Sequence, residues 1–132
     1  MRFWTHPKNS SLVRYTRYLR WYLFGVLLAI ALFFNLSPSP GEGFTIIWDK
    51  ALHFFCWAAV TGALGLARYP NVIKNLDTIA IVLISSAAEI GQLWVHGRSF
   101  DPADLLANSF GIASALLIWR TINHLRKHYS PN

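Results

Sequence analysis

Along this chain the apolar residues do not alternate with polar ones at a strand or surface-helix period. They gather into four long runs separated by short polar segments, near residues 19–36, 51–67, 78–95 and 103–122. Each run approaches the roughly 20 apolar residues, with a range of about 17 to 25, that a helix needs to cross the hydrocarbon of a bilayer. Each is also apolar around most of its circumference, whereas a surface helix of a soluble domain shows a polar stripe. The pattern predicts four transmembrane helices.

The segments between the runs carry breaker chemistry: Ser37-Pro38-Ser39-Pro40-Gly41-Glu42-Gly43, then Arg68-Tyr69-Pro70-Asn71, then His96-Gly97-Arg98-Ser99-Phe100-Asp101-Pro102. Such short connections make consecutive helices antiparallel, so the expected fold is an all-α integral membrane four-helix bundle. The chain divides into a basic segment 1–18, a four-span unit 19–122 and a basic tail 123–132, with no internal repeat or low-complexity tract. Ala29-Ile30-Ala31 resembles a signal-cleavage box, but the apolar run continues through Leu32-Phe33-Phe34, and an uncleaved span is expected.

Composition narrows the classes further. The 132 residues are 54% hydrophobic, 15% aromatic and 14% charged, against about 25% charged in a soluble domain, too few to cover a water-exposed surface. So apolar a chain would collapse rather than stay disordered. The single cysteine, Cys56, leaves no intramolecular disulfide and no cysteine-based zinc site. Of the twelve basic residues, ten lie in three segments: Arg2, Lys8, Arg14, Arg17 and Arg20 before the first run, Arg68 and Lys74 in the middle connection, and Arg120, Arg126 and Lys127 at the end. The positive-inside rule places these segments, and hence both termini, in the cytoplasm. With Asp77 counted, that side carries +9; Lys50 and Arg98 with Glu42, Asp49, Glu89, Asp101 and Asp104 give the other −3, which accounts for the net +6. The Arg- and aromatic-rich stretch Arg14–Tyr22 then reads as an inner-leaflet anchor, and no nucleic-acid partner is expected. Trp48, Trp94 and Trp119, at span ends, are expected in the interfacial aromatic belt.

The remaining polar residues collect at the ends of three runs. The second opens Asp49-Lys50-x-x-His53, with Asp49 and His53 on one helical face and Lys50 about 100° round, free to snorkel to the interface. The third closes Glu89-x-x-Gln92, and in the fourth Asp101, Asp104, Asn108 and Gly111 form a stripe after Arg98. Antiparallel connectivity brings all three ends to the outer face. There they are expected to line a polar pocket, with small residues such as Gly62, Gly65 and Ser85 letting the helices approach. Structural roles compete for most of them. Asp101 before Pro102 suits an N-cap, Asp104 the dipole of that first turn, and Asp49 the cap of the second helix. Asn108 suits an interhelical hydrogen bond, His53 a satisfied core position, and Arg98 a bidentate pair with Asp101 or Asp104. Glu89, a third of the way into a span, has no capping role and points to function.

The ordered set Asp49-Lys50-x-x-His53-Phe54, Glu89-x-x-Gln92 and Gly97-Arg98-x-x-Asp101-x-x-Asp104-x-x-x-Asn108-x-x-Gly111 resembles the VanZ-like family of small bacterial membrane proteins, over roughly Trp48 to Gly111. The resemblance implies a four-span protein of the bacterial cytoplasmic membrane. The family is named for a protein associated with resistance to the glycopeptide teicoplanin; a phenotype is not a reaction, and the resemblance implies none. Trp57 stands where the family pattern leads one to expect tyrosine.

Three functional readings follow. In the first, Asp49, Lys50, His53, Glu89, Gln92, Arg98, Asp101, Asp104 and Asn108 bind the head group of an envelope lipid, such as a lipid-linked cell-wall precursor or glycolipid. In the second, an intramembrane enzyme uses His53 and Glu89 as an acid–base pair on such a lipid. The third is a small transporter or scaffold subunit, compatible with a homo-oligomer. Carboxylates and one histidine suffice in number for a divalent ion, but His-x-x-x-His and cysteine spacings are missing; no metal or cofactor is expected.

Overall fold

The structure, a computed structural model, describes residues 10–38 and 46–129. Arg2, Lys8, Glu42 and most of the first connection lie outside the described residues. Four helices follow in order: α1 (Ser10–Leu36), α2 (Ile46–Arg68), α3 (Asn75–Gly91), which runs into a 3₁₀ turn at Gln92–Trp94, and α4 (Pro102–Tyr129). All four are long and apolar enough to cross a membrane, so the chain is a multi-pass, all-α membrane bundle.

The helices outlast the apolar runs that mark them. α1 begins nine residues before the run at 19–36, and α4 continues seven residues past the run ending at 122. No proline stands between Ser10 and Leu36 or between Ala103 and Tyr129. At 1.5 Å per residue each spans about 40 Å, against about 30 Å of hydrocarbon, so polar helix ends project among head groups.

Local chemistry sets the helix starts. The Asp101 side chain accepts the Ala103 backbone N–H at 2.8 Å and Pro102 takes the first helical position, an N-cap that launches α4. At the start of α3, Asp77 accepts the Lys74 backbone N–H at 2.9 Å and pairs with Arg68 at the end of α2. Gly97, at φ +75°, supplies the left-handed step between the 3₁₀ turn and α4. Asp49 does not cap α2. The helix starts three residues earlier at Ile46, which puts Asp49 in the first turn, where a carboxylate favours the dipole.

The principal contact joins α2 and α4; α1 packs on α2, and α3 lies more lightly against α4 and α1. Hydrogen-bonded partners keep a nearly constant offset along α2 and α4, Lys50 with Asp104, His53 with Asn108 and the Gly62 carbonyl with Trp119, so these two helices run parallel. Their close approach depends on glycine. A Cβ at position 111 would overlap the carbonyl oxygen of Phe54 and lie 3.1 Å from the Ala58 amide nitrogen. At Gly65 a Cβ would strike the Trp119 indole, whose Nε1 donates to the Gly62 carbonyl at 3.0 Å. Trp119 therefore packs half-buried between helices, whereas Trp48 and Trp94 are strongly exposed. Its ring fills the space that Gly65 leaves on α2.

Ala31, Trp57, Val60, Leu64, Ile81 and Ile112 form the core, while Phe33, Phe55, Leu83 and Leu117 face outward. Large exposed apolar side chains along whole helices suit a lipid surround. The two ends differ in charge. One gathers Arg20, which donates to the Tyr69 carbonyl at 2.9 Å, Arg126, 4.4 Å over the Tyr69 ring, and the Arg68–Asp77 pair. The other brings together the start of α2, the end of α3 and the start of α4.

Candidate functional site

At that second end, all nine residues singled out by the sequence join one connected cluster. α3 contributes Glu89 and its 3₁₀ extension Gln92; α2 contributes Asp49, Lys50 and His53; α4 contributes Asp104 and Asn108, with Asp101 at its cap and Arg98 in the preceding turn. The one-face spacing of Asp49 and His53, and of Asp101, Asp104 and Asn108, aims each set at the other because α2 and α4 are parallel and in register.

Glu89 is the hub and is 0% exposed. Its Oε1 accepts Asn108 Nδ2 at 3.2 Å and Gln92 Nε2 at 3.4 Å, and lies 3.1 Å from His53 Nδ1. Its Oε2 is buried without a hydrogen-bond partner among the described residues. Three donors on one oxygen suit an anionic acceptor. Asn108, also 0% exposed, makes the interhelical link expected of a buried amide: its Nδ2 faces Glu89 and its Oδ1 lies 3.1 Å from His53 Nδ1. Both neighbours of Nδ1 are acceptors, so the ring proton sits there. Nε2 is directed at carboxylates, 3.7 Å from Asp104 Oδ2 and 4.0 Å from Asp49 Oδ1.

Two sequence expectations are corrected at the outer edge of the cluster. Lys50 does not snorkel away; its ammonium crosses to α4 and donates to Asp101 Oδ2 at 2.7 Å and Asp104 Oδ1 at 2.8 Å. Arg98 pairs with neither of these aspartates but reaches Asp49 Oδ1 at 3.7 Å. The partly exposed Asp101 and the buried Asp104 at the head of α4 share the nearest cation, and the tight α2–α4 contact makes that Lys50. The Lys50 ammonium and the Ala103 N–H hold the Asp101 carboxyl below the usual carboxylate range.

His53, Glu89, Gln92, Asp104 and Asn108 are buried, and the accessible edge consists of Asp101 (43% side-chain exposure), Asp49 (32%) and Lys50 (30%). The donor atoms of Asp49, His53 and Asp104 lie within 4.8 Å of one another, a grouping able to hold a metal ion. Sequence reasoning passed over Asn35, buried near the end of α1 with its Oδ1 unpartnered. An amide inside an otherwise apolar run was the available signal.

Compared with known proteins, no curated protein and no solved structure matches the chain. A family model described as VanZ/LLP1 matches residues 4–123, which takes in every member of the cluster and nearly the whole chain. A four-helix membrane bundle whose polar residues meet at one end is thus what this sequence pattern builds, and the chain belongs to the VanZ/LLP1 family.

Proposed function

We propose that this protein binds the polar head group of an envelope lipid at the Asp49–Lys50–Asp101 edge, in the outer leaflet of a bacterial cytoplasmic membrane, with both termini inside. The observation that carries this reading is the position of the cluster. Its buried part is braced by α2, α3 and α4 together, and its exposed edge lies at helix ends, where a helix that spans the hydrocarbon would carry it among lipid head groups. The basic residues of the opposite end support the orientation.

Four carboxylates against Lys50 and Arg98 favour a head group rich in hydroxyl or amine donors, as in a glycolipid or a lipid-linked cell-wall precursor. The Arg98 guanidinium, beside Asp49 at the same end, offers the complementary charge for a phosphate of the same lipid. Lys50 holds Asp101 and Asp104 in place and so shapes the edge.

Native mass spectrometry of the gently extracted full chain tests the reading. A sugar- or phosphate-bearing lipid is expected to travel with the parent protein and to be lost from Lys50→Met and Arg98→Gln. Lipid carry-over that matches bulk membrane composition, or is unchanged in both variants, overturns it. A second reading, acid–base chemistry on the bound lipid, draws on the 3.1 Å contact between His53 and Glu89. It requires a product that appears with the parent protein and not with His53→Gln.

A further inference from the structure

At the site end of the bundle, among the described residues, Asp49, Glu89, Asp101 and Asp104 meet two cations, Lys50 and Arg98. With a neutral imidazole the cluster carries an excess of two negative charges, much of it out of water, where uncompensated charge is costly. One divalent cation would cancel it.

The geometry also provides donor atoms. His53 is 3% exposed, and its Nε2 faces Asp104 Oδ2 and Asp49 Oδ1 at 3.7 and 4.0 Å, both beyond hydrogen-bond length. In the neutral ring the proton on Nδ1 leaves Nε2 with a lone pair directed at the two carboxylate oxygens. At separations of no more than 4.8 Å, a point equidistant from the three lies on the order of 2.5 Å from each, within a few tenths of an ångström of zinc–ligand lengths. Two features prepare the donors. Glu89 grips Nδ1 from behind, the carboxylate–histidine arrangement that orients metal-bound imidazoles. Lys50 takes Asp104 Oδ1 and leaves Oδ2 turned to His53.

We propose that Asp49, His53 and Asp104 form a divalent-metal site, with Glu89 as the positioning residue for His53. One imidazole nitrogen and two carboxylate oxygens suit Zn²⁺ over Mg²⁺ or Ca²⁺, which take all-oxygen sets. Three protein donors leave at least one coordination position open toward the exposed edge. The ligands come from two helices, which is why no metal spacing is visible in the sequence. The site stands independently of the lipid reading, since it is assayed with the protein in detergent.

The full chain, stripped with EDTA, is dialysed against Zn²⁺ in excess Mg²⁺ and counted for metal, and Co²⁺ is substituted for its visible spectrum. The expected result is one Zn²⁺ per chain and Co²⁺ bands of a four- or five-coordinate ion. Asp49→Asn, at a partly exposed position where folding is not at stake, weakens binding at least about tenfold. Glu89→Gln, which leaves the ligands in place, weakens it by roughly 10- to 100-fold, as loss of an orienting carboxylate does elsewhere. Asp77→Asn, the same charge change at the opposite end, leaves it unchanged. Failure of the parent chain to retain zinc overturns the proposal, and so does zinc held equally by the parent and Asp49→Asn.

Discussion

Gly111→Ala tests the helix contact on which the whole cluster depends. The added methyl would overlap the Phe54 carbonyl oxygen and crowd the Ala58 amide nitrogen. These are backbone atoms that no rotamer change can move, so α2 and α4 must part on the order of 1 Å. Overpacking of this kind costs about 1–3 kcal/mol, and a backbone obstacle places the cost toward the upper end. Separation also stretches the His53–Asn108 and Trp119–Gly62 hydrogen bonds, each worth about 0.6 kcal/mol between membrane helices. Alanine returns up to about 1 kcal/mol of helix propensity, leaving a net loss of about 2 to 3 kcal/mol. Gly62→Ala is the matched control, because a Cβ there meets nothing within 4 Å. It gains the same propensity without the clash. Unfolding by SDS titration in mixed micelles, followed by far-UV circular dichroism, should rank Gly62→Ala at or above the parent protein. Gly111→Ala should fall about 3 kcal/mol below that control, more than a hundredfold in the folding equilibrium. Equal stability of the two variants, to within about 0.5 kcal/mol, would refute the α2–α4 contact and the site built on it.

Two other substitutions probe the cluster. Glu89→Gln and Glu89→Ala both remove the buried charge, but only glutamine keeps an acceptor for Asn108, Gln92 and His53. In the same titration alanine should be less stable by about 2 kcal/mol, three lost contacts at the membrane value; no difference would deny Glu89 its hub role. Asp101 titrates below the usual carboxylate range in the folded protein because of Lys50 and Ala103. Its contribution is therefore full above the ordinary carboxylate value, about 4, and disappears as pH falls through the folded value. The stability gap between the parent and Asp101→Asn should be constant from pH 7 to about 5 and close below about 4; a gap that does not vary with pH counts against the Lys50–Asp101 bond.

Much of this architecture was determined by sequence. The four apolar runs fix the helix number, because a helix is the simplest way to satisfy backbone hydrogen bonds in lipid. Pro102 after Asp101 fixes where α4 begins, and the short connections fix the alternation of direction. That alternation brings Asp49, Glu89 and Asp104 to one end before any side chain is placed. Even the candidate site was legible, since polar residues in so apolar a chain stand out by their cost.

Pairing was decided only by tertiary structure. Nothing in the spacing says that Lys50 rather than Arg98 holds Asp101 and Asp104, or that Trp119 packs on α2 at Gly65. Those choices follow from the distance between α2 and α4, which is set where Gly111 meets the Phe54 carbonyl. The sequence showed Gly111 as one member of a stripe, without the backbone it faces. Likewise Asp49 and His53 acquire Asp104 as a third donor only when two helices 50 residues apart in the chain lie parallel and in register. A sequence pattern records the period within one helix; the offset between two helices is a property of their packed surfaces.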